Sequence, residues 1–183
     1  MKSTAQKTIA IFGSSAPAAD SPNYNQAFEL GKSLAQAGYR IANGGYGGTM
    51  AAAAKGAKEI GSPTIGVTCS AFGRNGPNPW IDKEIKTNTL SQRLDTFINL
   101  ADAYIALPGS TGTLLEIAMV WELINKHFLP QRPIIFLSDY WKPVIDTVIN
   151  SGETDNSCIR FAETLHQLLQ ILSDYFQLNQ LPK

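Results

Sequence analysis

Short apolar runs alternate along this chain with longer stretches whose apolar residues recur at helical spacing, and glycine-rich turns join them. The short runs favour strands and the longer ones helices, and strict alternation of the two favours a doubly wound parallel sheet with helices on both faces. Thr8–Phe12, Tyr39–Ala42, Pro63–Thr68, Glu84–Thr87, Ala103–Leu107, Pro133–Leu137 and Cys158–Phe161 read as strands. Asn23–Ala37, Met50–Ile60, Thr89–Leu100, Thr113–Lys126, Trp141–Asn150 and Glu163–Leu178 read as helices. A chain of 183 residues fits one domain, 1–183, with its motifs between about 8 and 150 and a helical tail at 163–178.

The junction Ala103–Glu116 carries the clearest chemical signal. A buried-strand run ends in Pro108, Gly109, Ser110, Thr111 and Gly112, and an apolar helix begins at Thr113. In a parallel sheet this junction lies at the carboxyl end of a strand, where open α/β folds take their ligands. The unpaired N–H groups and the dipole at a helix start seat an anion such as phosphate, and Glu116 follows within one turn. Gly13 and Ser14 form a second such turn, and Asn43 to Gly48 a third that contains Gly44, Gly45 and Gly48 and leads to Met50.

Lys plus Arg equals Asp plus Glu at 15 each, so overall charge gives no reason to expect nucleic acid or an anionic membrane as partner. Cys69 and Cys158 stand far apart and accompany two histidines, a pattern that fits neither a disulfide framework nor a zinc site. Met1–Lys7 lacks the apolar centre of a signal peptide, so a cytoplasmic setting is expected. The helix Thr113–Lys126 is apolar nearly all round, which predicts burial on more than one side and a homodimer or homotetramer built through it. The long segment Cys69–Asp82 is irregular and rich in Gly, Pro and Asn, with Phe72, Arg74 and Trp80 of unassigned role.

Gly44-Gly45-x-x-Gly48-x-Met50, then Arg93 within Thr89–Leu94, then Pro108-Gly109-x-x-Gly112-Thr113-x-x-Glu116 resemble the successive motifs of the LOG (Lonely Guy) family. The resemblance implies a Rossmann-like oligomer that hydrolyses nucleoside 5′-monophosphates of the cytokinin type to free base and ribose 5-phosphate, with no cofactor required. It places Glu116 and Arg93 in the catalytic positions and the phosphate on Gly109 to Thr113. Two positions depart from the family pattern: Ser110 replaces the second glycine of one turn and Asn43 the first of three in the other. A related group, the molybdenum cofactor carriers, binds a phosphorylated pterin without reaction, and the departures keep that alternative open. A local reading of Glu116 also stands, because Thr113-x-x-Glu116 has the form of a helix capping box.

Overall fold

The computed structural model describes residues 6–152 and 154–178. The chain runs β1 (Thr8–Phe12), α1 (Pro22–Gln36), β2 (Arg40–Asn43), α2 (Thr49–Glu59), β3 (Thr64–Cys69), a single 3-10 turn (Ser70–Phe72) and β4 (Lys83–Thr87). It continues through α3 (Leu90–Leu100), β5 (Ala103–Ala106), α4 (Thr111–Asn125), β6 (Ile134–Leu137), α5 (Lys142–Ile149), β7 (Ile159–Ala162) and α6 (Leu165–Leu178). The start signals act as their chemistry demands. Ser21 caps α1 with Pro22 behind it, and the hydroxyl of Thr89 accepts from Gln92 N at 3.2 Å at the head of α3.

All strand pairings are parallel, in the order β4-β3-β2-β1-β5-β6-β7. The chain moves outward from β1 to β4, returns to the other side of β1, and moves outward again to β7. The reversal falls between β1 and β5, paired Ile11 with Ile105 and Phe12 with Ala106. Loops leaving these two strands therefore diverge and leave a crevice at their carboxyl ends.

Successive side chains of β1 feed opposite layers, as the two-residue period of a strand requires. Ile9 and Ile11 join the core beneath α1, α2 and α6, whereas Ala10 and Phe12 join the core beneath α3, α4 and α5. Ala52, Ala53, Ala54 and Ala57 of α2 are fully buried, giving that helix a thin face against its neighbours. The doubly wound, Rossmann-like α/β architecture read from the alternation is the one observed.

One local reading needs correction. Helix α4 starts at Thr111, with Ser110 in the cap position and no side-chain capping bond, so Thr113 lies inside the first turn and the Thr113–Glu116 capping box does not form. Within a single chain α4 buries Thr113, Glu116, Ile117, Val120, Trp121 and Ile124 and leaves Leu115 41% exposed. Segment 69–82 is irregular beyond the Ser70–Phe72 turn, as expected, and is stapled in place where Asn78 Nδ2 donates to the carbonyls of Gly45 and Tyr46 at 3.0 and 2.8 Å.

Candidate functional site

The loops at the carboxyl ends of β1, β2, β3 and β5 surround a cavity of about 360 Å³, within the range that holds a small ligand. Its walls include Gly13, Ser14, Gly44, Met50, Arg93, Ser110, Gly112, Thr113 and Glu116, together with Tyr46, Phe72, Arg74, Leu90 and Leu115. Residues far apart in sequence thus meet at the reversal point of the sheet.

The buried wall is ionic. Arg93, on the first turn of α3, and Glu116, on the second turn of α4, are each 6% exposed. Arg93 Nη1 donates to Glu116 Oε1 at 3.0 Å, and Arg93 Nε donates to the carbonyl of Val67 at 2.9 Å. The guanidinium also lies 5.8 Å from the ring centroids of both Phe72 and Phe97. Burial pushes the Glu116 carboxyl up from 4.5 to about 7, against the opposing pull of Arg93. Near neutral pH this group is poised between its two protonation states, a property that acid–base chemistry uses.

Gly44 makes room for the guanidinium. A Cβ there would sit 2.2 Å from Arg93 Nη2 and 2.6 Å from Met50 Sδ. Gly48, at φ +61°, begins α2 and brings its backbone against the carbonyl of Ser14, which accepts from Thr49 N at 2.9 Å. Asn43 ends β2 in extended conformation, fully buried. Its Oδ1 accepts from Gly45 N at 2.8 Å and its Nδ2 donates to the Met50 carbonyl at 2.9 Å. The residue that departs from the glycine pattern is therefore a brace that fixes the turn. Ser110 has φ −114°, a conformation open to any residue, so serine in place of glycine carries no backbone penalty.

Helix α4 presents its first turn to the cavity through Gly112 and Thr113. No atom lies within 4 Å of a Cβ built on Gly112, so a ligand has a clear approach to this backbone. The preceding turn is tied from behind, where Trp141 Nε1 donates to the Leu107 carbonyl at 2.9 Å and the Tyr140 hydroxyl to the Gly109 carbonyl at 2.9 Å. Gly45, Gly48 and Thr111 shape these loops without lining the cavity, while Pro108 and Gly109 border an adjoining shallow depression with Ser14 and Ser110. The apolar rim formed by Phe72, Leu90 and Leu115, each 41% exposed, had no signal in the sequence beyond apolar character. Tyr46 was equally silent; its hydroxyl bridges the backbone N–H and carbonyl of Cys69.

The site combines an open helix start, a buried carboxylate of raised pKa held by an arginine, and an apolar rim. Among the described residues no cluster of His, Cys, Asp and Glu suits a metal ion, and no helix is long and apolar enough to cross a membrane.

The sequence model of the SLOG cluster4 family matches residues 6–169. An uncharacterized protein of Archaeoglobus fulgidus is 33% identical over 100 residues, covering 55% of this chain and 65% of that protein, slightly under two thirds of its length. A cytokinin riboside 5′-monophosphate phosphoribohydrolase of Mycobacterium tuberculosis is 30% identical over 142 residues, covering 75% of this chain and 73% of that protein. Among solved structures, the Moco carrier protein of Chlamydomonas reinhardtii superposes with a TM-score of 0.73 at 26% identity, covering 95% of this chain and 99% of that one.

Proposed function

The chain belongs to the SLOG cluster4 family, and from that premise we propose that it binds a nucleoside 5′-monophosphate and hydrolyses its N-glycosidic bond. Water adds to the anomeric carbon, the bond to the base nitrogen breaks, and the products are free base and ribose 5-phosphate. The observation that carries this reading is the buried Arg93–Glu116 pair in the wall of a cavity that also contains the open start of α4.

Glycosidic cleavage passes through an oxocarbenium-like sugar, and a carboxylate beside the anomeric carbon stabilises that charge or takes a proton from the attacking water. Glu116 has the burial and the shifted acidity for this role. Arg93 spends Nε on Val67 and Nη1 on Glu116, which fixes the direction of the carboxylate. The phosphate takes the backbone N–H groups at Gly112 and Thr113 together with Ser14. The base then falls against Phe72, Leu90 and Leu115, an apolar surface suited to adenine and its apolar N6 derivatives. Ribose 5-phosphate released from AMP or isopentenyladenosine monophosphate is the test, and a protein that releases none from either is not this enzyme.

A second reading is a carrier for a phosphorylated pterin such as the molybdenum cofactor, favoured by the end-to-end match with the Chlamydomonas carrier. The same helix start would hold the pterin phosphate, and no reacting carboxylate is needed. Protection of the cofactor from oxidation that persists in Glu116→Gln supports the carrier, and loss of all protection removes it.

The proposal extends to a homo-oligomer. Val144 and Val148 on α5 leave apolar side chains 40 and 39% exposed, and with Leu114 and Ala118 of α4 they line a groove between these helices. A second copy of the chain would cover this face.

A further inference from the structure

Three charged side chains line the cavity: Arg74, Arg93 and Glu116. Two of them are committed to each other, because Arg93 and Glu116 pair at 3.0 Å and Arg93 has a further donor committed to Val67. Arg74 is different. It is exposed at the rim, and its guanidinium lies 4.6 Å from the ring centroid of Tyr46. That ring is a fixed platform, 6% exposed, with its hydroxyl bonded to both backbone groups of Cys69 at 2.8 and 3.2 Å.

Stacking occupies the face of a guanidinium and leaves the N–H donors around its edge free for a planar, two-point contact with phosphate. Among the described residues the Arg74 side chain has no carboxylate partner and donates no hydrogen bond. Arg74 is therefore the cation of the cavity lining that has no carboxylate partner, an exposed planar donor in a lining that also includes Ser14, Ser15, Gly112 and Thr113. Entry of a phosphate dianion into a cavity whose deeper arginine is already committed to Glu116 and Val67 costs desolvation unless a free cation meets it.

We propose that Arg74 is the side chain that joins the start of α4 in binding the ligand's phosphate, and that Arg93 acts as a positioning residue that orients Glu116. This assignment rests on the reading of the cavity as a seat for a phosphorylated ligand. It defines the ligand class more narrowly: a terminal phosphate accessible to a rim arginine, attached to a group that reaches the buried carboxylate.

Calorimetric titration of AMP, adenosine and inorganic pyrophosphate into wild type, Arg74→Gln and Arg74→Lys tests it. Arg74→Gln should weaken AMP and pyrophosphate by roughly 10- to 100-fold, the loss of a charge-assisted contact, and leave adenosine unchanged. Arg74→Lys should restore part of the loss, because charge returns without the planar edge. Equal weakening of AMP and adenosine, unchanged AMP binding in Arg74→Gln, or no binding of AMP or pyrophosphate by wild type would each overturn the assignment. Arg74-dependent binding of pyrophosphate without ribose 5-phosphate release from any nucleotide would leave it standing and remove the hydrolase reading instead.

Discussion

Arg93 and Glu116 lie 23 positions apart in sequence, yet they meet across 3.0 Å as the one buried ion pair among the described residues, joining α3 to α4 at the edge of the cavity. The other ion pairs lie between side chains that are 34 to 63% exposed, as surface pairs of small energetic value do. A buried pair gives up hydration on both sides and is weak evidence for stability, so its presence beside an open helix start points to chemistry.

The raised pKa of Glu116 fixes the sign of two pH dependences. If the carboxylate is the reacting form, turnover rises with pH through a midpoint near 7. Stability runs the other way. Between 4.5 and about 7 the folded chain holds a proton that the unfolded chain has lost, so this contribution to stability declines as pH rises through that window. The full effect is on the order of 3 kcal/mol, and Glu116→Gln should remove it. Thermal melts of both proteins from pH 4.5 to 8 read this directly, and parallel curves would contradict the assignment.

Arg93→Gln should move the activity midpoint to higher pH, because the guanidinium is what opposes the desolvation of Glu116. Removing one partner of a buried pair costs about 3–5 kcal/mol, so the variant should also melt earlier. A pH–rate profile with an unmoved midpoint would show that the pair is not coupled in solution.

Gly44→Ala tests the close approach in the second loop. The added methyl would contact Arg93 Nη2 and Met50 Sδ at well under van der Waals distance, forcing the guanidinium off Glu116. Overpacking of this kind costs about 1–3 kcal/mol, and turnover should fall more than tenfold while the fold survives. Wild-type turnover in Gly44→Ala would mean that Arg93 has freedom to move.

Asn43→Ala removes an acceptor from Gly45 N and a donor to the Met50 carbonyl in a fully buried place. Each orphaned group costs about 1–3 kcal/mol. A melting temperature unchanged in this variant would contradict the bracing role.

The alternation of apolar runs was enough to order the strands and helices, because a parallel sheet buried on both faces leaves few other arrangements. The convergence of Ser14, Gly44 and Glu116 was likewise legible, since each follows the carboxyl end of a strand, whereas Arg93 on its helix reads locally as a surface charge and was marked only by the resemblance to the LOG motifs. What stayed hidden depended on contacts between distant segments. The capping-box pattern at Thr113 is a local signal, and the start of α4 two residues earlier overrode it. The backbone angle at Ser110 and the bracing by Asn43 have no trace in residue type alone. Arg74 was visible only as a charge in a long loop, because its position depends on Asn78 bonding that loop to Gly45 and Tyr46 and on the stacking surface that Tyr46 offers.

Light scattering tests the assembly. Wild type should be a dimer or tetramer at micromolar concentration, and Val144→Glu combined with Val148→Glu should yield a monomer of unchanged helix content. A monomeric wild type would leave the groove between α4 and α5 without its proposed partner.

The most direct test of the central claim is release of ribose 5-phosphate from AMP and isopentenyladenosine monophosphate by wild type and Glu116→Gln side by side. The account predicts turnover by wild type on at least one of them and a loss of roughly 100-fold or more in the variant, with nucleotide binding retained. Equal turnover by both proteins, or none by wild type on either nucleotide, would contradict it.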